Sequence, residues 1–448
     1  MQKARVFILN SLSYESMAVR ESRIVKAHHE TFRWIFQPQG LPPSDLRSRI
    51  RYTDWLEFRS GVYWISGKAG SGKSTLMKFL CKHPETMRIL QRWAGDARLV
   101  TLNFFFWSAG TKMQRSLQGL LQSLLYELLG EFPSLIPTIC PQRWSKEDVF
   151  PSRCGPWDIE ELSQAIRRVV NHTHATTKFC LFIDGLDEYD GDLSEFITFL
   201  NDLKALPTLK LCLSSRPLNI FEDSFGSASV TKLYLQDLTR EDISSYTRDI
   251  LQGRLELVSS AGCSTNIDKI VEEITKKAQG VFLWVFLVVR SLSSGLSNGD
   301  TDATLYRRLR SFPSDLEIFF EHMFQAVDPM YRQQSSCLFQ VALKSSKPRS
   351  LMVYSFLMED DPDFAINLMA GSYRAEEAFR IASRAQRQLN ARTQGLLEPQ
   401  HPVPRFMHRT VRDFLLLKNM QEMLANYASP GFNTNATLCR ALLAEFKT

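Results

Sequence analysis

Gly61-Val62-Tyr63-Trp64-Ile65-Ser66-Gly67-Lys68-Ala69-Gly70-Ser71-Gly72-Lys73-Ser74-Thr75 decides the fold of this 448-residue chain. The first six residues are β-branched and aromatic and run into a glycine, which reads as a buried strand. From Thr75 to Cys81 the pattern turns helical. The segment between, Gly67 to Thr75, matches G-x-x-x-x-G-K-[ST] in the strand–loop–helix setting that the motif requires. Glycines at Gly67, Gly70 and Gly72 let backbone N–H groups close around phosphate oxygens, with Ser71 in the same turn. The following helix adds the positive end of its dipole. Lys73 supplies a cation for β- and γ-phosphates, the Ser74 hydroxyl is a ligand for Mg²⁺, and Thr75 completes the motif. A nucleoside triphosphate, ATP or GTP, with magnesium is the implied ligand. A chance match somewhere in a chain of this length has a likelihood on the order of a few percent, before the flanking strand and helix are demanded.

Outward from the loop, short apolar strands alternate with amphipathic helices. Leu99–Trp107 reads as a strand, and the leucines from Leu117 to Leu129 repeat at i, i+3, i+4 on one stripe. Residues 132–157 read as a loop, 158–170 as a helix, Phe179–Ile183 as a strand, 193–205 as a helix and Lys210–Ser214 as a strand. Val230–Leu235 is one strand more. This order predicts a parallel α/β sheet flanked by helices. Residues 1–60 read mainly as helix, interrupted by Pro38, Pro42 and Pro43 and carrying an aromatic run, Thr31–Phe36. Beyond 236 the strand signal fades. Thr239 with Glu241 and Asp242 reads as a helix cap, and helices follow at 271–277, 281–292 and 314–324. The last section, 330–420, mixes helices with a strand-like piece at Pro404–Met407. No internal repeat or low-complexity tract is present.

The third strand ends in acids: Phe179-Cys180-Leu181-Phe182-Ile183-Asp184-Gly185-Leu186-Asp187-Glu188. The expectation is that this strand lies beside the loop-bearing one and delivers Asp184 to the Mg²⁺ side, through a water. Asp187 and Glu188, one turn on, are placed to orient or deprotonate an attacking water. The next strand ends in Ser214-Ser215-Arg216-Pro217, where Arg216 suits a γ-phosphate sensor or, equally, an exposed loop arginine.

Composition narrows the class. A hydrophobic content of 44% and a charged content of 23% are those of a globular domain, and +6 is a mild net charge that gives no specific nucleic-acid partner. The 8 cysteines contain no C-x-x-C pair, against zinc and against a disulfide framework, and Cys180 and Cys212 read as small core residues. The most apolar segment, Val281–Val289, is about half the length of a membrane span. A cytoplasmic location is expected.

The loop, the hhhhDGLDE form of Phe179–Glu188 and Ser214–Pro217 together resemble a NACHT domain. NACHT proteins are STAND-class signalling NTPases related to animal NLR receptors. Met17–Arg20, Thr31–Phe36 and Tyr63–Lys68 are similar to fungal members in particular, as are Lys277–Trp284 and Phe406–Leu415. The resemblance implies an α/β core, then a helical domain and a winged-helix-like domain closing over the nucleotide. It further implies a closed diphosphate form and a triphosphate form that opens and assembles into homo-oligomers. In relatives the histidine that starts an H-x-S/T-x-x-x-F motif contacts the β-phosphate of bound diphosphate; His408 matches that position. The expected division is 1–60 N-terminal helical linker, 61–236 NTPase core, 237–312 helical domain, 313–420 winged-helix-like domain and 421–448 C-terminal tail. Against the family pattern, no effector domain is expected before residue 10 and no ankyrin, WD or tetratricopeptide array after 420; the expectation is a truncated gene product, a fragment, or a regulator whose partners are full-length NACHT relatives.

A slow NTPase used as a signalling switch, in fungal innate-immunity or self/non-self recognition pathways, is the first expected function. An AAA+-like remodelling ATPase, with Arg240, Arg248 or Arg254 as a second sensor, and a nucleotide-stabilised scaffold are the alternatives.

Overall fold

The computed structural model describes residues 2–37, 42, 44–146, 155–226, 231–258, 266–345, 347–359, 361, 363–371, 373–398 and 403–448. It divides into two compact units, residues 1–310 and 311–448.

The first unit is built on a five-stranded parallel sheet. Its strands are β1 (Gly61–Ser66), β2 (Arg98–Phe105), β3 (Thr177–Asp184), β4 (Leu209–Ser215) and β5 (Lys232–Tyr234), in the spatial order β2-β3-β4-β1-β5. One expectation is corrected here. The acid-bearing β3 does not lie beside the loop-bearing β1, because β4 stands between them. Burial explains the placement: every residue of β4 is buried, as a central strand requires, whereas β2 alternates and takes an edge. Even Lys210 of β4 is buried, its ammonium donating to the carbonyls of Trp55 and Leu56. Asp184 therefore reaches the phosphate loop across the tip of β4.

The helices of this unit are α1 (Gln2–Leu12), α2 (Val19–Arg23), α3 (Tyr52–Phe58), α4 (Lys73–Lys82), α5 (Pro84–Ala94), α6 (Leu117–Glu131), α7 (Ile136–Ile139), α8 (Pro141–Lys146), α9 (Ile159–Thr173), α10 (Leu193–Lys204), α11 (Asn219–Phe225), α12 (Arg240–Val258), α13 (Ile267–Ala278), α14 (Phe282–Ser297) and α15 (Asp302–Ser311). Alternate side chains of each strand face opposite sides of the sheet. On one face Trp64, Phe104, Leu181 and Leu213 pack with the leucine stripe of α6 and with α9 and α10. On the other, Tyr63, Phe182, Cys180 and Cys212 pack with α3, α4, α5 and the aromatic run of the N-terminal segment.

Other expectations shift at their edges. The stretch read as a loop, 132–157, holds two short helices, α7 and α8, each with a proline in its first turn or at its first residue; residues 147–154 lie outside the described residues. So do Pro38, Pro43, Val230, Cys154 and Cys263. The N-terminal 60 residues are less helical than expected, with irregular chain at residues 25–28 and a turn over residues 29–32. Thr239 precedes α12, but its buried hydroxyl makes no hydrogen bond, so the cap by its side chain does not form. Asp242 is turned elsewhere, as described below.

The second unit is helical, with α16 (Leu316–Gln325), α17 (Arg332–Lys344), α18 (Leu351–Phe356), α19 (Phe364–Asn367), α20 (Ala375–Thr393), α21 (Arg409–Leu415), α22 (Lys418–Tyr427) and α23 (Thr434–Lys447). The strand-like piece at 404–407 is real: β6 (Leu397–Glu398) and β7 (Arg405–Phe406) form an antiparallel pair. Residues 421–448, expected to be a tail, are folded into this unit. The Ser336 hydroxyl donates to the Leu424 carbonyl at 2.6 Å. Lys447 Nζ donates to the carbonyls of Ala365, Ile366 and Leu368 at 2.8–3.1 Å, closing the end of α19.

Candidate functional site

At the end of β1 the chain leaves the sheet, and Gly67 N donates to Ser215 O at 3.3 Å. It then turns through Gly70 (φ 72°) and Gly72 (φ 95°), both in the left-handed region that favours glycine. Close approach adds a second reason. A Cβ on Gly67 would stand 2.6 Å from Ser71 Oγ, and one on Gly70 2.8 Å from Leu283 Cβ. Gly72 has no side chain to cap α4, so the first-turn N–H groups of that helix face the loop without a side-chain acceptor at the cap. Lys73 Nζ donates to the carbonyls of Gly67 (2.7 Å) and Lys68 (2.9 Å). Burial lowers its pKa to about 8, against the upward pull of Asp187 and Asp184.

Asp184, at the tip of β3, is 1% exposed. One carboxylate oxygen accepts from the Ser214 hydroxyl; the other, Oδ2, is buried and accepts nothing. Burial raises its pKa, while the Ser214 and Ser74 hydroxyls and the charge of Arg20 oppose the rise. Ser71 Oγ in the loop is also buried without a partner. A hard divalent cation fits this donor set. An orphaned carboxylate oxygen beside a serine hydroxyl is the oxygen-only chemistry that Mg²⁺ takes, and the glycine cradle that a Cβ would fill fits a phosphate chain.

The remaining acids are engaged. Asp187 Oδ2 pairs with Arg216 Nε at 3.2 Å, and Arg216 N donates to Asp187 Oδ1 at 3.0 Å. The carboxylate is 5% exposed and the guanidinium 27%. The proposed water-orienting acid and the proposed γ-phosphate sensor are thus partners of one another. Glu188 Oε2 accepts from Ser108 N at 2.8 Å, tying the end of β3 to the loop after β2. Together the first unit assembles Gly67–Thr75, Asp184, Asp187, Glu188 and Arg216. His408 belongs to the second unit, where it is the N-cap of α21 and its Nδ1 accepts from Thr410 N at 3.1 Å. Of the candidate second sensors, Arg248 pairs with Asp268 (3.2 Å) and Arg254 donates to Ser297 Oγ (2.7 Å).

The structure adds contacts on the loop that motif reading left without partners. Leu283 N, at the start of α14, donates to Gly70 O at 3.0 Å, and Lys68 N donates to Gln236 Oε1 at 3.2 Å. Phe32, itself at φ 68°, and Phe282 stand beside Gly72, where a Cβ would be 3.8 and 3.7 Å from their rings. Asp242 holds that aromatic segment. Its Oδ2 accepts from Trp34 Nε1 (2.8 Å) and Phe32 N (3.3 Å), and burial lifts its pKa to about 6. The aromatic run Thr31–Phe36 was the visible signal; its acceptor, 208 residues later, was not.

A phosphate loop between strand and helix, with a buried acid two strands away in a five-stranded parallel sheet, defines a P-loop NTPase. Two families match the chain: "Nephrocystin 3, N-terminal" over residues 44–216, and a "domain of unknown function (DUF7791)" over residues 326–448. The vegetative incompatibility protein HET-E-1 of Podospora anserina is 24% identical over 380 residues, covering 81% of this chain and 27% of that protein. The chain therefore spans about a quarter of that relative's length. These matches agree with the motifs: the chain is NACHT-like and similar to a fungal incompatibility protein. Among solved structures, the Drosophila ORC bound to DNA is similar at TM-score 0.34 and 12% identity, over 89% of this chain and 98% of that one. Cdc6p from Pyrobaculum aerophilum is similar at 0.31 and 14%, over 88% and 97%. Likenesses this loose carry nothing further for this chain. No helix among the described residues is long and apolar enough to cross a membrane.

Proposed function

We propose that this protein is a switch set by the phosphate state of a bound nucleoside di- or triphosphate, with hydrolysis slow and serving as a reset. One observation carries the reading. The phosphate loop is held from outside the sheet by the backbone of α14 at Gly70. A ligand that changes the loop then acts directly on the helical segment, and a ligand shifts an equilibrium by its differential contacts with the two states.

In this reading the loop amides, Lys73 and the α4 N-terminus bind the phosphates, and the Ser74 hydroxyl and Asp184 would hold Mg²⁺. The metal, when bound, neutralises charge developing on the phosphates. Lys73 is poised to exchange two loop carbonyls for phosphate oxygens. Asp187 and Arg216, paired across the tips of β3 and β4, are the charge pair that a terminal phosphate would compete for; Glu188 orients a water from the β2 side. His408 is the proposed reader of the β-phosphate. The proposed division is an NTPase core over 61–236, a helical segment over 237–312 and a winged-helix-like segment from 313. The matched vegetative incompatibility protein supports a role in self/non-self recognition. Assembly into homo-oligomers in the cytoplasm and pairing with longer NACHT relatives are the proposed output.

The test is size-exclusion chromatography of the purified chain with Mg²⁺ and either diphosphate or a non-hydrolysable triphosphate. A larger species is expected only with triphosphate, abolished in Lys73→Ala. Identical profiles under both nucleotides, or turnover of many per second, would sink the switch.

A further inference from the structure

The short helix α2 carries two arginines that the phosphate site does not otherwise account for. Arg20 and Arg23 both lie over the ring of Trp107, with guanidinium carbons 5.7 and 5.1 Å from its centroid. Among the described residues neither is in an ion pair or a hydrogen bond, and Arg20 Nε is buried without a partner. Two like charges over one ring repel each other; Arg20 lies within charge range of the buried Asp184 but is not bonded to it, and Arg23 is exposed. An anion between the two guanidinium groups would offset that repulsion.

Their place is set by the site itself. Trp107 is flanked by the two acid-bearing positions: Phe106 N donates to Asp184 O at 3.0 Å, and Ser108 N donates to Glu188 Oε2 at 2.8 Å. Arg20 is the cation whose charge opposes the burial of Asp184, and Arg20 in turn lowers the pKa of Arg23 after burial has done so. The helix is fixed to the nucleotide-binding element. Lys78 Nζ of α4 donates to the carbonyls of Glu21 (2.8 Å) and Ile24 (2.6 Å), and Lys82 pairs with Glu21. Gln114 Nε2 donates to Ser16 O at 2.9 Å from the loop after β2. The arginines are thus held at the β2–β3 end of the site, on the side of the acids.

We propose that Arg20 and Arg23 form a cationic site for the terminal phosphate of the triphosphate held by the loop, supplied from the chain's own N-terminal segment. The inference rests on the nucleotide reading above. Arg is the residue for this task because its planar fork meets phosphate oxygens in pairs while its face stacks on an aromatic ring. A diphosphate, which ends one phosphate earlier, would leave the pair untouched.

The test is calorimetric binding of Mg²⁺-diphosphate and of a non-hydrolysable Mg²⁺-triphosphate to wild type, Arg20→Gln, Arg23→Gln, the double variant, Arg20→Lys and Lys73→Ala. Loss of one charge-assisted contact predicts triphosphate affinity about tenfold weaker in each single Gln variant, with diphosphate affinity within about twofold. Arg20→Lys, which keeps the charge and loses the fork, is expected between wild type and Arg20→Gln. Binding stoichiometry restricts the comparison to folded protein, and a structural role for α2 would weaken both nucleotides alike. Equal effects on the two, or none, overturn this proposal while leaving the Lys73→Ala loss intact. A wild type that binds neither nucleotide overturns the parent reading as well.

Discussion

Lys73 offers the most direct quantitative test of the phosphate loop. Its ammonium is buried against two carbonyls, and its pKa is lowered to about 8 from an ordinary 10.5. A polyphosphate beside Nζ adds negative charge at hydrogen-bond range and restores the ordinary value. The sign follows from proton counts. With the pKa at about 8 the free protein carries about 0.76 of a proton on Lys73 at pH 7.5 and about 0.09 at pH 9, while the bound form carries nearly one at both. Binding therefore takes up about 0.2 proton at pH 7.5 and about 0.9 at pH 9. Because only the bound form holds that proton at high pH, affinity falls as pH rises, by about eightfold between pH 7.5 and pH 9. Titration calorimetry in two buffers of different ionisation enthalpy reads the uptake directly. Lys73→Arg, which does not titrate in this range, should lose both the uptake and the slope. Affinity that is flat from pH 7.5 to pH 9, with buffer-independent heats, would refute the reasoning.

Three further outcomes follow from single contacts. Gly70→Ala places a Cβ at φ 72° and 2.8 Å from Leu283 Cβ, so a loss of about 1–2 kcal/mol in urea unfolding is expected, together with weaker nucleotide binding. Asp242 has its folded pKa at about 6, above the ordinary 3.8, so it binds protons better folded than unfolded, and its stabilising effect is lost as pH rises through that window. Wild type should therefore gain about 1 kcal/mol over Asp242→Asn between pH 7 and pH 5, read by denaturant unfolding at each pH; no change in the difference argues against the buried carboxylate. Arg216 and Asp187 should show a coupling of about 1–3 kcal/mol in a double-mutant cycle of stability, and additivity would mean that the pair is incidental.

What the sequence made legible was local. The strand, the loop and the start of its helix sit in fifteen consecutive residues, Gly61 to Thr75, and the motif states its own geometry. The alternation of apolar strands and striped helices gave the parallel sheet. The strand order was not legible: β1, β3 and β4 are all apolar runs, β1 and β4 are buried at every residue, and only the strand pairing shows that β4 stands between the other two. Asp242 was misassigned for the same reason. A carboxylate at the third position of a helix is locally a cap, and nothing near it in the sequence announces that Trp34 and Phe32 will claim it. Of the arginines of α2, Arg20 lay in a stretch noted only for its resemblance, and Arg23 lay outside it. Their common ring, Trp107, is more than eighty residues away, so no spacing rule could pair them.

The geometry also bounds how a triphosphate could act differently from a diphosphate. In the reading proposed above, the Gly70 contact with α14 and the Phe32 and Phe282 rings at Gly72 pass a change in the loop on to the helical segment, and telling a triphosphate from a diphosphate needs charged groups that meet the terminal phosphate. The charged groups proposed for that task are the Asp187–Arg216 pair and the arginines of α2. Moving an equilibrium from 1:99 to 99:1 takes about 5.5 kcal/mol of differential binding. A hydrogen bond to a charged group contributes about 1.5–3 kcal/mol. One arginine is then too little: about two suffice at the upper end of that range and about four at the lower end. This predicts a graded series: each single arginine variant should lower the triphosphate-driven fraction of the large species, and the Arg20→Gln/Arg216→Gln pair should abolish it while diphosphate binding persists. Full assembly in that double variant would remove the β3–β2 side from the switch.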